Sequence, residues 1–321
     1  MELRDNILSI SSIESFNKIA LEVFQYQVQH CEVYRNYVQF LNWKTPTCIE
    51  EIPFLPIEFF KSHQIISSEK ETDIIFKSSG TGGQRSTHFL ADSQLYIDSF
   101  SKAYKMHIGD PKDQVILALL PNYTEQGESS LVYMVDYLIE QTENELSGFV
   151  LNSTNELVSR YNHAISTGKK VVLFGVSYAL LDLAATKPNL SQATIIETGG
   201  MKGRRKEMTK DELHLKLKIG LNVPYISSEY GMTELLSQGY SNSDGLFETP
   251  PWMKILIREV NDPFTYIGEG KTGGINVIDF ANLYSCSFIA TQDLGKKTGN
   301  LFQILGRFDQ SDIRGCNLLI E

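Results

Sequence analysis

The sequence predicts an α/β protein in which a parallel or mixed sheet is covered by helices and followed by a small antiparallel β subdomain. Three observations predict this: an amphipathic opening segment, an alternation of short apolar runs with helical stretches between residues 114 and 234, and a change of texture after about residue 250. With 321 residues, 42% of them apolar, the chain can bury a large core and exceeds the ~100–200 residues of an ordinary domain. The expected organisation is an α/β part over residues 1–250, a β-rich subdomain over 251–306 and a hinge with a short tail over 307–321.

The opening stretch 13–41 spaces Ile13, Phe16, Ile19, Ala20, Val23 and Phe24 at helical intervals, which predicts an amphipathic helix. The proline-punctuated IPFLPIEFF (52–60) reads as extended, because a proline turns the residue before it away from the helical region. QVILALL (114–120) reads as a strand and SSLVYMVDYLIEQ (129–141) as a helix. KKVVLFG (169–175) is a strand with SYALLDLAA (177–185) as its helix, and ATIIETGG (193–200) is a strand ending on two glycines. Thr209 with Glu212 three residues on forms a capping box that opens another helix, after which VPYIS (223–227) leads into SEYGMTELL (228–236). Beyond it, MKILIREV, GGINVIDF and SFIATQDLG are strand-like runs separated by Gly, Pro, Asn and Asp.

Composition excludes several classes. A formal net charge of -10 argues against a nucleic-acid groove, which needs clustered Lys and Arg to neutralise phosphates. The basic cluster Lys202–Lys206 suits a single local anion better than a duplex. The four cysteines, Cys31, Cys48, Cys286 and Cys316, show no CxxC spacing, and the histidines form no metal-ligand pattern. The N-terminus lacks a signal-peptide apolar core and no apolar run approaches ~18 residues, so a cytoplasmic, thiol-reduced protein without a membrane span is expected.

The chemistry concentrates in four segments: KSSGTGGQR (77–85), ETGGMKG (197–203), SEYGMTE (228–234), and ATQDLG (290–295) leading to LGRFDQSDIRGC (305–316). A loop of Gly, Ser and Thr after an apolar strand can wrap phosphate oxygens, because glycine lets backbone N–H groups converge and hydroxyls add donors. It is not a Walker A loop, since no Lys-Ser/Thr follows at the required spacing.

In that order, these segments resemble the motifs of the adenylate-forming superfamily, whose members activate a carboxylate with ATP to an acyl-adenylate and pass the acyl group to a thiol. Within it, IPFLPIEFFK, KSSGTGG, LLPNYTEQGESSLVYMVDYL, ETGGMKG and the RGC near the C-terminus resemble the bacterial acyl-protein synthetases of the luminescence fatty-acid reductase system. The resemblance spans roughly residues 50–320 and implies the large N-terminal domain of the adenylate-forming fold, with its C-terminal domain truncated. It implies ATP and Mg²⁺ as cofactors, a fatty carboxylic acid as substrate, and an acyl-acceptor protein such as a reductase or carrier protein as partner.

Carried onto this sequence, the resemblance assigns the β- and γ-phosphates to Ser78, Ser79, Gly80, Thr81, Gly82 and Gly83, with Arg85 as the neighbouring charge. Gly199 and Gly200 belong to the same nucleotide site. Tyr230 beside Gly231 would stack on adenine, Thr233 would bond a phosphate oxygen, Glu234 would hold Mg²⁺, Asp293 would take the ribose hydroxyls, and Arg307 would meet the ribose or its phosphate. Cys316 matches the family's acyl-accepting cysteine, and Arg314 beside it favours the thiolate.

Two departures stand out. The family's loop carries a second Thr and a later Lys where this chain has Gly82 and Ser86. The chain also stops 14 residues after Arg307, so the lysine of a large C-terminal domain is expected to be absent. Two alternatives to acyl-protein synthesis remain: a coenzyme A or carrier-protein ligase of the phenylacetate–CoA-ligase kind, and a nucleotide- or acyl-binding protein that has lost adenylation.

Overall fold

The computed structural model describes residues 2–78, 84–120, 128–150, 153–199, 208–243 and 245–308. Helices are α1 Glu2–Ile7, α2 Ile13–His30, α3 Glu32–Phe40, α4 Phe59–Ser62, α5 Ser93–His107, α6 Ser130–Gln141, α7 Thr154–Ser166, α8 Ser177–Ala185 and α9 Lys210–Leu221. Strands β1 to β8 are Leu55–Pro56, Ile74–Lys77, Thr87–Leu90, Gln114–Leu119, Gly148–Phe149, Lys170–Val176, Ala193–Thr198 and Ser227–Tyr230. Strands β9 to β14 are Gly239–Ser241, Phe247–Glu248, Met253–Arg258, Thr272–Asp279, Phe288–Thr298 and Leu301–Arg307.

One sheet runs in the order β11-β12-β13-β14-β10-β9-β8-β7-β6-β4-β5, with β1 added in parallel to β13, and β2 pairs with β3 in a separate two-stranded sheet. From β5 to β8 neighbouring strands are parallel, and from β8 to β11 they are antiparallel. Every residue of β4 and all but the first of β6 are buried, as expected of parallel strands covered by helices. With this strand order, the right-handed rule for parallel crossovers puts α6 on one face and α7, α8 and α9 on the other. Gly220 of α9 sits so close to Ala184 of α8 that a methyl there would lie 2.6 Å from the Ala184 Cβ. Functional groups then gather beyond the carboxyl ends of the parallel strands, where helix cover gives way to loops.

The α/β alternation and the antiparallel C-terminal strands agree with the sequence expectation, down to the Thr209–Glu212 capping box on α9. Two segments differ. The stretch 13–41 is two helices, because Cys31 takes an extended backbone (φ -102°, ψ 104°). The bend turns Tyr34 into the core, where its hydroxyl donates to the Pro53 carbonyl at 2.6 Å and its ring stacks on Phe288. Ile13, expected on the apolar stripe, is the first residue of α2 and is exposed. IPFLPIEFF is extended only at its start: β1 pairs with β13, then the chain turns into α4 and buries Phe60. No helix among the described residues is long and apolar enough to cross a membrane.

Candidate active site

Strands β2 and β3 form the neck of the glycine-rich loop, with Lys77 opposite Thr87. One step further, the Ser78 N–H donates to the Ser86 carbonyl at 3.0 Å and the Ser86 N–H donates to Ser78 Oγ at 3.0 Å. Ser79, Gly80, Thr81, Gly82 and Gly83 lie outside the described residues. Arg85 bends back over this neck: its Nε donates to the Ser78 carbonyl, and one terminal nitrogen lies 3.3 Å from Glu128 Oε2. Lys77 ion-pairs with the other oxygen of Glu128, and its N–H donates to the Glu128 carbonyl at 2.8 Å. The hydrogen bond from Lys77 holds the Glu128 carboxyl below its ordinary range. Sequence reasoning missed Lys77 and Glu128. The cue was present, since Lys77 opens the KSSGTGG motif and Glu128 sits in the QGESS that precedes α6.

Tyr230, Asp293 and Arg307 come together from three strands. The Tyr230 hydroxyl donates to Asp293 Oδ2 at 2.9 Å, and Arg307 Nε donates to Asp293 Oδ1 at 2.9 Å. Asp293 and Arg307 are cross-strand partners in the β13–β14 register. The Asp293 N–H is held by Thr291 Oγ1 at 3.1 Å. The Tyr230 ring meets Phe302 and Phe247 edge to face, at 5.6 and 6.1 Å between centroids. Burial, then the neighbouring Asp293 charge, pushes its hydroxyl far up.

Beyond Tyr230 the chain turns sharply, and Asp279 fixes the turn. Its carboxylate accepts from the N–H groups of Leu236 and Ser237 at 2.8 and 2.9 Å and from the Ser237 hydroxyl at 2.6 Å. The turn presents the buried Glu234 toward Ser86, which stands beside its carboxylate and favours the charged form. Burial raises the Glu234 carboxyl above its ordinary range, against the pull of Ser86 and of the nearby Arg307 charge. Thr233 is tied by its carbonyl, which accepts from His88 Nδ1 at 2.8 Å. His88 is fully buried, and that burial depresses its imidazole to about 4. The phosphate-loop neck, Glu234 and the Tyr230–Asp293–Arg307 group are thus parts of one contiguous region.

The ends of β7 and β8 add a buried polar network that the sequence reading had only touched at Gly199 and Gly231. Glu197 receives the Ser177 hydroxyl at 2.6 Å and the Ser228 hydroxyl at 3.2 Å, with Lys210 Nζ at 3.2 Å and His214 at 3.9 Å. Burial works against its charge, but His214, Lys210 and Ser177 outweigh it and hold the carboxyl at about 2. On the opposite face Glu229 accepts from the Thr198 hydroxyl, and burial lifts its carboxyl to about 7. Gly199 adopts φ +68°, and its carbonyl accepts from the Ser177 hydroxyl at 3.2 Å. Gly231 is required by space, since a Cβ there would collide with Glu229 Oε1. Gly200, Cys316 and Arg314 lie outside the described residues. Cys31 and Cys286 are buried with thiols pushed up by burial, and Cys48 is exposed.

The donor set fits the implied groups. No cluster of three or more His, Cys, Asp or Glu for a metal occurs among the described residues. A Mg²⁺ carried by a triphosphate needs only one or two protein carboxylates, which Glu234 meets. Asp293 already serves two donors, the pattern that vicinal ribose hydroxyls would reproduce.

Comparisons with solved structures show proteins that share this fold. The ATP-bound MatB of Rhodopseudomonas palustris superposes with a TM-score of 0.57 at 18% identity, over 75% of this chain and 49% of that one. An open 2-hydroxyisobutyryl-CoA ligase in complex with 2-HIB-AMP and CoA gives a TM-score of 0.65 at 12% identity, over 94% and 72%. The O-succinylbenzoate coenzyme A synthetase MenE of Bacillus subtilis, in complex with ATP and magnesium ion, gives 0.53 at 17% identity, over 75% and 51%. This chain spans about half the length of MatB and MenE. A comparison with curated protein sequences gives no match. The model of the family described as acyl-protein synthetase, LuxE, matches residues 8–321, and the chain therefore belongs to the LuxE acyl-protein synthetase family.

Proposed function

We propose that this protein activates a carboxylic acid with ATP to an acyl-adenylate and then transfers the acyl group to a thiol. The observation that carries the reading is the convergence of Tyr230, Asp293 and Arg307 near a buried Glu234 that lies beside Ser86 at the neck of a glycine-rich loop. In the adenylation step the substrate carboxylate attacks the α-phosphorus, the bond to the bridging oxygen breaks, and pyrophosphate leaves. Asp293 binds the ribose and Tyr230 bounds the base. Arg307, mostly exposed at the edge of the site, reaches the ribose phosphate. Glu234 would hold Mg²⁺, which when bound would supply charge neutralisation to the leaving phosphates. Catalysis then rests on positioning and on charge stabilisation in a water-poor cleft.

The motif resemblance implies a fatty acid as substrate and Cys316 or a partner protein's thiol as acceptor, and both are part of the proposal. Hydroxamate-trapped turnover with a panel of carboxylic acids tests the proposal. Acid-dependent release of pyrophosphate is the expected result, and nucleotide binding without any turnover across the panel would reassign the chain as a binding protein.

A further inference from the structure

Strand β3 leaves the phosphate loop with Ser86 and His88 two residues apart, and residues so spaced share one face of an extended chain. Both reach the same short segment of another part of the fold. His88 holds the carbonyl of Thr233 at 2.8 Å, and Ser86 stands beside Glu234, the residue just after it. Ser86 is also the residue whose backbone closes the loop neck against Ser78. One short segment therefore ties the loop neck to the residue adjoining the candidate metal ligand.

The chemistry at His88 is specific. A carbonyl can only accept, so the proton sits on Nδ1, and Nε2 makes no hydrogen bond among the described residues. The ring is fully buried, edge-on to Phe60 at 5.4 Å, and its one polar tie is the bond to Thr233. A lysine or arginine in this position would bring a charge into an apolar surround at high cost, while an apolar residue would leave the Thr233 carbonyl without its donor.

We infer that His88 is a positioning residue for metal-dependent nucleotide binding: its Nδ1–H holds the Thr233 carbonyl so that Glu234 stays in register with the neck of the phosphate loop. This rests on the proposed function, and it makes the strand after the loop, which bears none of the site residues read from the family motifs, part of the metal site's support.

The test compares His88→Leu, which keeps the volume without a donor, with His88→Asn, whose side-chain amide can place a donor where Nδ1 stands. Calorimetry is run with ATP plus Mg²⁺, ATP with chelator, and AMP. His88→Leu is expected to weaken Mg²⁺-ATP about tenfold while leaving AMP unchanged, and His88→Asn to recover most of that loss. A Leu variant with the wild-type Mg²⁺ effect, an Asn variant as impaired as Leu, or equal loss of AMP and Mg²⁺-ATP would overturn the inference. Nitrogen-detected NMR of the wild-type imidazole reads the same point without any variant: an Nδ1–H tautomer is expected, and an Nε2–H tautomer overturns it. Wild-type protein that binds no nucleotide at all would instead defeat the proposed function.

Discussion

Asp293 and Arg307 stand opposite each other on β13 and β14, and the carboxylate that takes the Arg307 Nε on one oxygen takes the Tyr230 hydroxyl on the other. The acceptor in this group belongs to a strand remote in sequence from the strand that carries Tyr230. A nucleotide entering here must replace or share these bonds, so each partner has a separable effect.

Asp293→Ala is expected to weaken AMP and ATP alike, because both carry the ribose, by about tenfold to a hundredfold for the loss of hydrogen bonds to a charged group. Calorimetry with the two nucleotides checks it. Unchanged AMP affinity would remove Asp293 from the ribose.

Glu234→Gln should separate the nucleotides instead. The amide keeps the shape and the contact with Ser86 but lacks the charge that a hard cation requires, so Mg²⁺-ATP affinity falls while AMP binding is retained. Titration of Mg²⁺ at fixed ATP reads the difference. Equal weakening of AMP would point to a structural role for the side chain.

The two buried glutamates on neighbouring strands give opposite pH dependences. Glu197, ordinarily near 4.5 and held at about 2 in the fold, contributes stability that is present above its unfolded value and lost as pH falls from 4.5 toward 2. Glu229 is lifted to about 7, so the folded chain keeps its proton where the unfolded chain releases it. Its contribution is present below 4.5 and lost as pH rises from 4.5 to about 7. Glu229→Gln should therefore flatten the urea midpoint between pH 5 and pH 7, as about one titrating group's worth of slope. A midpoint that keeps the wild-type slope in the variant would refute the assignment.

Gly231→Ala should destabilise the protein by about 1–3 kcal/mol, since the added methyl must push the Glu229 carboxylate off its bond to Thr198. Thermal melts of Gly231→Ala and of the double variant with Glu229→Ala check it. The second change should recover part of the loss, and simple additivity would mean the clash lies elsewhere.

Cys316 is the remaining chemical bet. Incubation with ATP and a suitable fatty acid should produce a hydroxylamine-labile adduct, visible by intact mass and absent in Cys316→Ser, because a thioester to this thiol is cleaved by that nucleophile. Adenylate formation with no adduct would transfer the acceptor role to an external thiol.

The sequence by itself determined the approximate spans of β4, α6, β6, α8 and β7 and the start of α9, because apolar periodicity and caps such as Thr209–Glu212 are written within a few consecutive residues. It also determined the family, through the order of short motifs, and it singled out Tyr230, Asp293, Arg307 and Glu234 as residues of one site. Only the tertiary structure decided that Tyr230 and Arg307 share Asp293, that Arg85 and Lys77 meet on Glu128, and that His88 holds the Thr233 carbonyl. The break at Cys31 was likewise invisible, since the pull on Tyr34 comes from Pro53 and Phe288. The physical reason is common to all of these. Backbone periodicity is a local property, whereas the partner of a buried polar group is chosen by strand register and crossover between residues far apart in the chain.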